Sequence, residues 1–193
     1  MINVSNIILF CWLIFLGYWI INWKSVKPTK EMAWKEPHSR WTFIWIVILL
    51  FILSRFFFHR NASFLFFTSA PSSFPSIQVL GILLTILGLI IAIVARKTLA
   101  DNWSSNVELK KDHKLITTGV YNYTRHPIYT GIDLMGFGTI IALQSIVATL
   151  FFIFMVIFLM YKMKKEETLL RKHFPKEYPD YMKRTKALIP FIY

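Results

Sequence analysis

Cysteine is nearly absent from this 193-residue chain: Cys11 stands alone, within an apolar run. That excludes a disulfide framework and a thiolate metal cluster, and Cys11 itself reads as a small lipid-facing hydrophobe. Acidic residues are scarce, 10 against 22 Lys and Arg, which leaves a net charge of +12. No G-x-G-x-x-G opens a helix and no Walker sequence occurs, so a soluble nucleotide-binding fold is excluded. No His/Glu set has the spacing of a metal site, so no metal is expected, and His38, His59 and His173 read as structural.

What is abundant is apolar sequence. Hydrophobic residues make up 55% of the chain and aromatic ones 17%, too much for a soluble domain of this size. The basic residues gather between the apolar blocks rather than along amphipathic elements, which points to a polytopic membrane protein and away from nucleic acid. The expected fold is an all-α integral membrane protein, one domain over 1–193, with spans at about 4–23, 41–58, 77–95, 132–143 and 145–161. The first is read as a retained span because no basic n-region or cleavage site marks a signal peptide.

The stretch 132–161 is about 45 Å long as a single helix, more than one bilayer crossing. Gln144-Ser145 at its middle predicts a turn and a hairpin of two short spans. Five spans with the N-terminus outside place all basic residues but Arg55 and Arg60 on the cytoplasmic side. Two polar segments, 96–130 and the tail from Lys162, then meet at that face. Gly81, Gly88 and the Gly136-Phe137-Gly138 triplet suit close helix packing.

Residues 119–131 hold Arg125, His126, Tyr121, Tyr123 and Tyr129 at the mouth of an apolar run. Pro127 fixes its own φ and pushes His126 towards extended backbone. The segment reads either as an interfacial loop contacting headgroups or as one wall of a polar site, since irregular backbone at membrane depth must line a cavity or be buried in protein. Glu166 and Glu167 follow the last span among lysines, so they either neutralise that patch or bind a cationic ligand. Asp133 lies one turn inside the apolar segment and is expected to form an ion pair, with Arg96 or Arg125, or a hydrogen-bonded carboxylate at the site wall.

Asn102-Trp103-Ser104, His113-x-Leu115, Thr118-Gly119-Val120-Tyr121, Arg125-His126-Pro127-x-Tyr129-x-Gly131, Glu166-Glu167 and the tail Phe174-Pro175-Lys176-Glu177-Tyr178-x-x-Tyr181 resemble the isoprenylcysteine carboxyl methyltransferases. The resemblance runs from about Leu99 to the end of the sequence, a catalytic region of 99–193. It implies S-adenosylmethionine as methyl donor in a cytoplasmic pocket formed by 96–130 and the helical tail. The cofactor would be held by Glu108, His113, Lys114, Leu115, Ile116, Tyr121, His126, Pro127, Ile128, Tyr129, Gly131 and Glu166. Arg125, Glu166 and Glu167 are the catalytic candidates.

Arg125 and Lys162 are the candidates for holding substrate. Lys162 stands where the family has an arginine, which keeps the charge and loses the bidentate fork. Phe174-Pro175 stands where the family usually has Phe-Gly. The implied activity is carboxyl O-methylation of a prenylated cysteine or other lipid-like acid, with membrane lipids as surroundings and no nucleic-acid partner. Related readings are an N- or S-methyltransferase of lipid amines or small thiols, an NADPH-dependent sterol-type reductase, and a non-enzymatic lipid-binding protein.

Overall fold

The computed structural model describes residues 4–22, 29–34, 75–103, 107–110, 114–190 and 192, the two β segments by backbone alone. The expected span 41–58 and His38, Arg55, His59, Arg60 and His113 lie outside the described residues. Helices α1 (Val4–Ile21), α2 (Pro75–Leu99) and α4 (Ile146–His173) are long and apolar enough to cross a bilayer. Helix α3 (Pro127–Leu143) is apolar but only about 25 Å long. These four overlap the expected spans 4–23, 77–95, 145–161 and 132–143. A short helix α5 (Glu177–Arg184) closes the described fold, with acids in its first turn and bases in its last, as the helix dipole favours.

Two boundaries differ from the sequence reading. Helix α3 begins at Pro127 rather than Ile132, because proline supplies a helical φ and the N–H it lacks has no partner in a first turn anyway. Helix α4 runs on through Lys162, Glu166 and Glu167 to His173, so the acidic pair sits on a rigid helix and not in a separate tail. The hairpin between them is as expected. Gln144 turns left-handed at φ 49° and donates its N–H to Ile140 O at 2.8 Å, and Ser145 Oγ accepts the Ala148 N–H to cap α4.

The fold is not purely helical. Strand β1 (Thr29–Trp34) pairs antiparallel with β2 (Val107–Lys110), Met32 standing opposite Glu108, and both strands lie beside α4. Val107-Glu108-Leu109-Lys110 alternates apolar and charged residues, a period-2 signal too short to sustain a helix.

The tightest packing joins α2 to α3. A Cβ on Gly81 would lie 2.5 Å from Ala142 N, and one on Gly138 would lie 2.5 Å from Gly81 O. Two turns away, a Cβ on Gly88 would lie 2.5 Å from Gly131 O. The glycines fall seven residues apart on each helix, hence on one face of each, and the antiparallel backbones touch where side chains would stand. Thr85 Oγ1, within this seam, donates to Gly81 O at 2.9 Å. Gly136 points the other way, towards the ring of Phe152 on α4.

Helix α1 docks on the seam through Cys11 and Phe15 against Leu89, Ala92 and Met135, with Trp12 Nε1 donating to Thr139 Oγ1 at 3.1 Å. Cys11 is therefore a core residue and not lipid-facing: its 5% exposure reflects the α1 face turned onto α2 and α3. Buried Arg96 donates to Ala100 O at 2.7 Å and Asn22 O at 3.0 Å and lies 4.5 Å from the Trp103 ring, tying the end of α1 to that of α2.

Valine at Gly81 or Gly138 must push two backbones apart and is expected to destabilise the protein by about 1–3 kcal/mol or more. Alanine at Gly17, where nothing lies within 4 Å, should leave the melting temperature unchanged or raise it. Thermal unfolding of the three variants in detergent checks this contrast.

Candidate active site

The site is assembled from three pieces of chain. The first begins at Gly119, whose φ of +62° starts a 3-10 turn over Gly119–Asn122, and runs on to the Arg125-His126-Pro127 corner. Pro127 denies helix to the residues before it, so the N–H groups of Arg125 and His126 need partners elsewhere. They find them in the second piece, residues 185–188. Arg125 N–H donates to Lys186 O at 2.8 Å and His126 N–H to Ala187 O at 3.0 Å. Thr130 Oγ1 donates to Leu188 O at 2.7 Å, and Tyr181 Oη donates to the carbonyl of Tyr121. This strap holds the corner flat against the third piece, helix α4.

From α4 come the carboxylates. Glu167 Oε1 accepts from Arg125 Nε at 2.9 Å and from Nη2 at 2.8 Å, and lies 3.3 Å from His126 Nε2. The second arm of Arg125, Nη1, donates to Thr185 O. Glu166 Oε1 accepts from Tyr129 Oη at 2.7 Å, while its Oε2 lies 3.5 Å from His126 Nδ1. The rings of His126 and Tyr129 are parallel within 2° at a centroid distance of 5.4 Å. His126 thus stands between two carboxylates, one at each nitrogen. Burial alone would disfavour the imidazolium, but the hydrogen bonds and charges of Glu166 and Glu167 outweigh it and raise the pKa of His126 above 6.5.

Five of the expected residues, Arg125, His126, Tyr129, Glu166 and Glu167, are therefore in direct contact. Lys162 is buried one turn from Glu166 on α4, and its positive charge acts on that carboxylate. Tyr121, Ile128 and the half-buried Ile116 pack together with Trp103 and Ala95 beneath the corner. Pro127 is fully buried, Leu115 is half-buried and Lys114 is exposed. Gly131 faces α2, where a Cβ would meet Ala92 N at 2.7 Å, so it serves the helix seam. Glu108 lies on β2. An open groove of about 590 Å³ lined by Thr98, Thr117, Thr118 and Asn122 contains none of the charged cluster.

Among the described residues, the ion pair expected for Asp133 does not form. Arg96 is committed to two carbonyls and Arg125 to Glu167 and Thr185, and the buried Oδ1 of Asp133 has no hydrogen-bond partner. Sequence reasoning also misses the strap: Thr185, Lys186 and Ala187 act through carbonyls, which every residue type carries, and only the neighbouring Tyr178 and Tyr181 offered a signal.

The fold and site together define a helical integral membrane protein with a polar cluster where α3 begins and α4 leaves its apolar stretch. Residues 80–172 match the model of the isoprenylcysteine carboxyl methyltransferase (ICMT) family. It is 38% identical over 117 residues to the protein-S-isoprenylcysteine O-methyltransferase of Saccharomyces cerevisiae, covering 59% of this chain and 49% of the relative. With the enzyme of that name from Rattus norvegicus it shares 34% over 115 residues, 58% of this chain and 40% of the relative. The chain thus spans about half the length of the curated relatives it matches. A solved structure of the "eukaryotic intramembrane Ras methyltransferase ICMT" superposes with a TM-score of 0.65 at 27% identity, over 98% of this chain and 65% of that one.

The raised pKa of His126 gives a signed expectation. Its contribution to stability is complete below the unfolded value of about 6.5 and is lost as pH rises through the higher folded value. Between about pH 6 and 9 the melting temperature of the wild type should fall more steeply than that of His126→Gln, as read by thermal unfolding in detergent.

Proposed function

We propose that this chain is a membrane methyltransferase that uses S-adenosylmethionine to esterify the carboxylate of an isoprenylcysteine-like or other lipid-like acid. The observation that carries the reading is the contact between Arg125-His126-Pro127-x-Tyr129 and Glu166-Glu167, two motifs that meet as one cluster. The names of the relatives support the same chemistry.

The residues fit the cofactor. Of the two carboxylates, Glu167 is bound to Arg125 and is 12% exposed, whereas Glu166 is 23% exposed and faces the His126–Tyr129 stack. A carboxylate beside aromatic rings suits a ligand carrying ammonium and sulfonium charges. We assign Glu166, Tyr121 and His126 to Tyr129 to the cofactor, joined by Glu108 and His113 to Ile116, and Lys162 to the acceptor carboxylate. When bound, S-adenosylmethionine supplies a methyl group that a carboxylate oxygen takes by in-line displacement, with no proton to remove. The task left to the protein is alignment.

Arg125 and Glu167 perform it by fixing the corner against α4. An amine or thiol acceptor would need a general base, and Glu167 is already held by Arg125 and His126, which favours the carboxylate acceptor. The five-span topology, with the N-terminus outside and this site on the cytoplasmic side, belongs to the same proposal and rests on the distribution of Lys and Arg.

Purified protein given labelled methyl donor should methylate prenylcysteine analogues in preference to phosphatidylethanolamine or short thiols, with the label released as methanol by base. Glu166→Gln should weaken binding of S-adenosylhomocysteine by about tenfold or more, and Tyr129→Phe several-fold, as measured by calorimetry. Label on lipid amine, stable to base, would replace this reading with N-methylation.

A further inference from the structure

Asp133 is the one charged residue inside α3, and the cluster above does not use it. Tyr129, Asp133 and Gly136 are spaced i, i+4 and i+7, so they share one stripe of the helix. The ends of that stripe are fixed by contacts with α4: Tyr129 Oη meets Glu166, and Gly136 meets Phe152 and Met155. Asp133 therefore lies between them, level with the part of α4 around Leu159 and roughly 6 Å deeper along the helix than Tyr129. Helix α3 packs far more extensively on α2 than on α4, so this is the looser of its two sides.

The Oδ1 of Asp133 is sealed from solvent and makes no hydrogen bond to a described residue. Among the described residues the candidate partners are engaged elsewhere: Arg125 is held by Glu167 and Thr185, Arg96 by Ala100 and Asn22, the charge of Lys162 acts on Glu166, and the Thr130 hydroxyl donates to Leu188 O. A buried polar oxygen that no described residue satisfies is a poor structural element and a good receptor for a donor brought from outside.

We propose that Asp133 is a specificity-determining residue of the acceptor site, accepting a hydrogen bond from an N–H group on a lipid-like acceptor lodged between α3 and α4. The acceptor class this selects carries an amide or amine N–H close to its reacting group, with its apolar chain running along α4 towards Met155. That the occupant is the methyl acceptor rests on the methyltransferase reading; the unbonded oxygen does not.

Two acceptors with the same prenyl chain and carboxylate, one a secondary amide and the other its N-methylated tertiary amide, separate the possibilities in lipid nanodiscs. A free-amine analogue serves as a third arm, distinguishing an ammonium from an amide N–H. Binding is measured by competition without methyl donor, and methyl transfer by initial rates. The wild type should prefer the secondary over the tertiary amide by about tenfold. Asp133→Leu and Asp133→Ala should abolish the preference, and Asp133→Asn, which keeps a carbonyl oxygen, should retain most of it.

Removing a bare polar group from an apolar helix should leave the melting temperature of Asp133→Leu at or above that of the wild type. A preference that survives in Asp133→Leu or Asp133→Ala, or that is absent from the wild type, overturns the proposal. Binding preference that follows Asp133 without any methyl transfer would uphold it and reject the methyltransferase reading. Methyl transfer without preference would do the reverse.

Discussion

The Oε1 of Glu167 accepts from two nitrogens of Arg125 and approaches a third on His126, and the polar half of the structure is arranged around that oxygen. Its location explains why Arg125 does not reach Asp133, why His126 is held between two acids, and why Glu166 is left the more open of the pair. The charges nearly cancel within the cluster. That is what lets two carboxylates, a guanidinium and an imidazole sit half-buried beside lipid-facing helices at tolerable desolvation cost.

The apolar half depends on a different constraint. Where α2 and α3 touch backbone to backbone, their relative height is fixed to within a side chain, because the glycine pairs match in only one register. Helix α3 therefore presents Tyr129 at a set depth, and the two-residue turn at Gln144-Ser145 delivers α4 back with Glu166 at the same level. The relative level of Tyr129 and Glu166 is owed to that register and to the short turn.

Much of this was legible in the sequence. Apolar length placed α1, α2, α3 and α4, and Gln144-Ser145 marked the turn because an uninterrupted helix would have overrun the bilayer. The distribution of Lys and Arg brings Arg125-His126 and Glu166-Glu167 to one face, but their direct contact is legible only through motif resemblance, since residues some 40 positions apart carry no local sign of contact. Helix α4 hid its length because Lys162 to Glu167 look like a loop by polarity while being good helix formers. Cys11 was misread because α1 is apolar all round, and such a helix does not reveal which face turns inward. Asp133 was assigned a partner on the rule that buried acids are paired; the structure shows both arginines held by other groups.

The strap has a consequence for the order of events during synthesis. Residues 124–130 emerge well before 185–188 exist, so for that interval the N–H groups of Arg125 and His126 lack the carbonyls that hold them in the finished fold. Helices α2 and α3 can insert and close their seam while the corner above them is still unpaired. Maturation of the polar cluster is then a late, separate event set by arrival of the downstream chain, and the apolar helices can be embedded before that cluster forms.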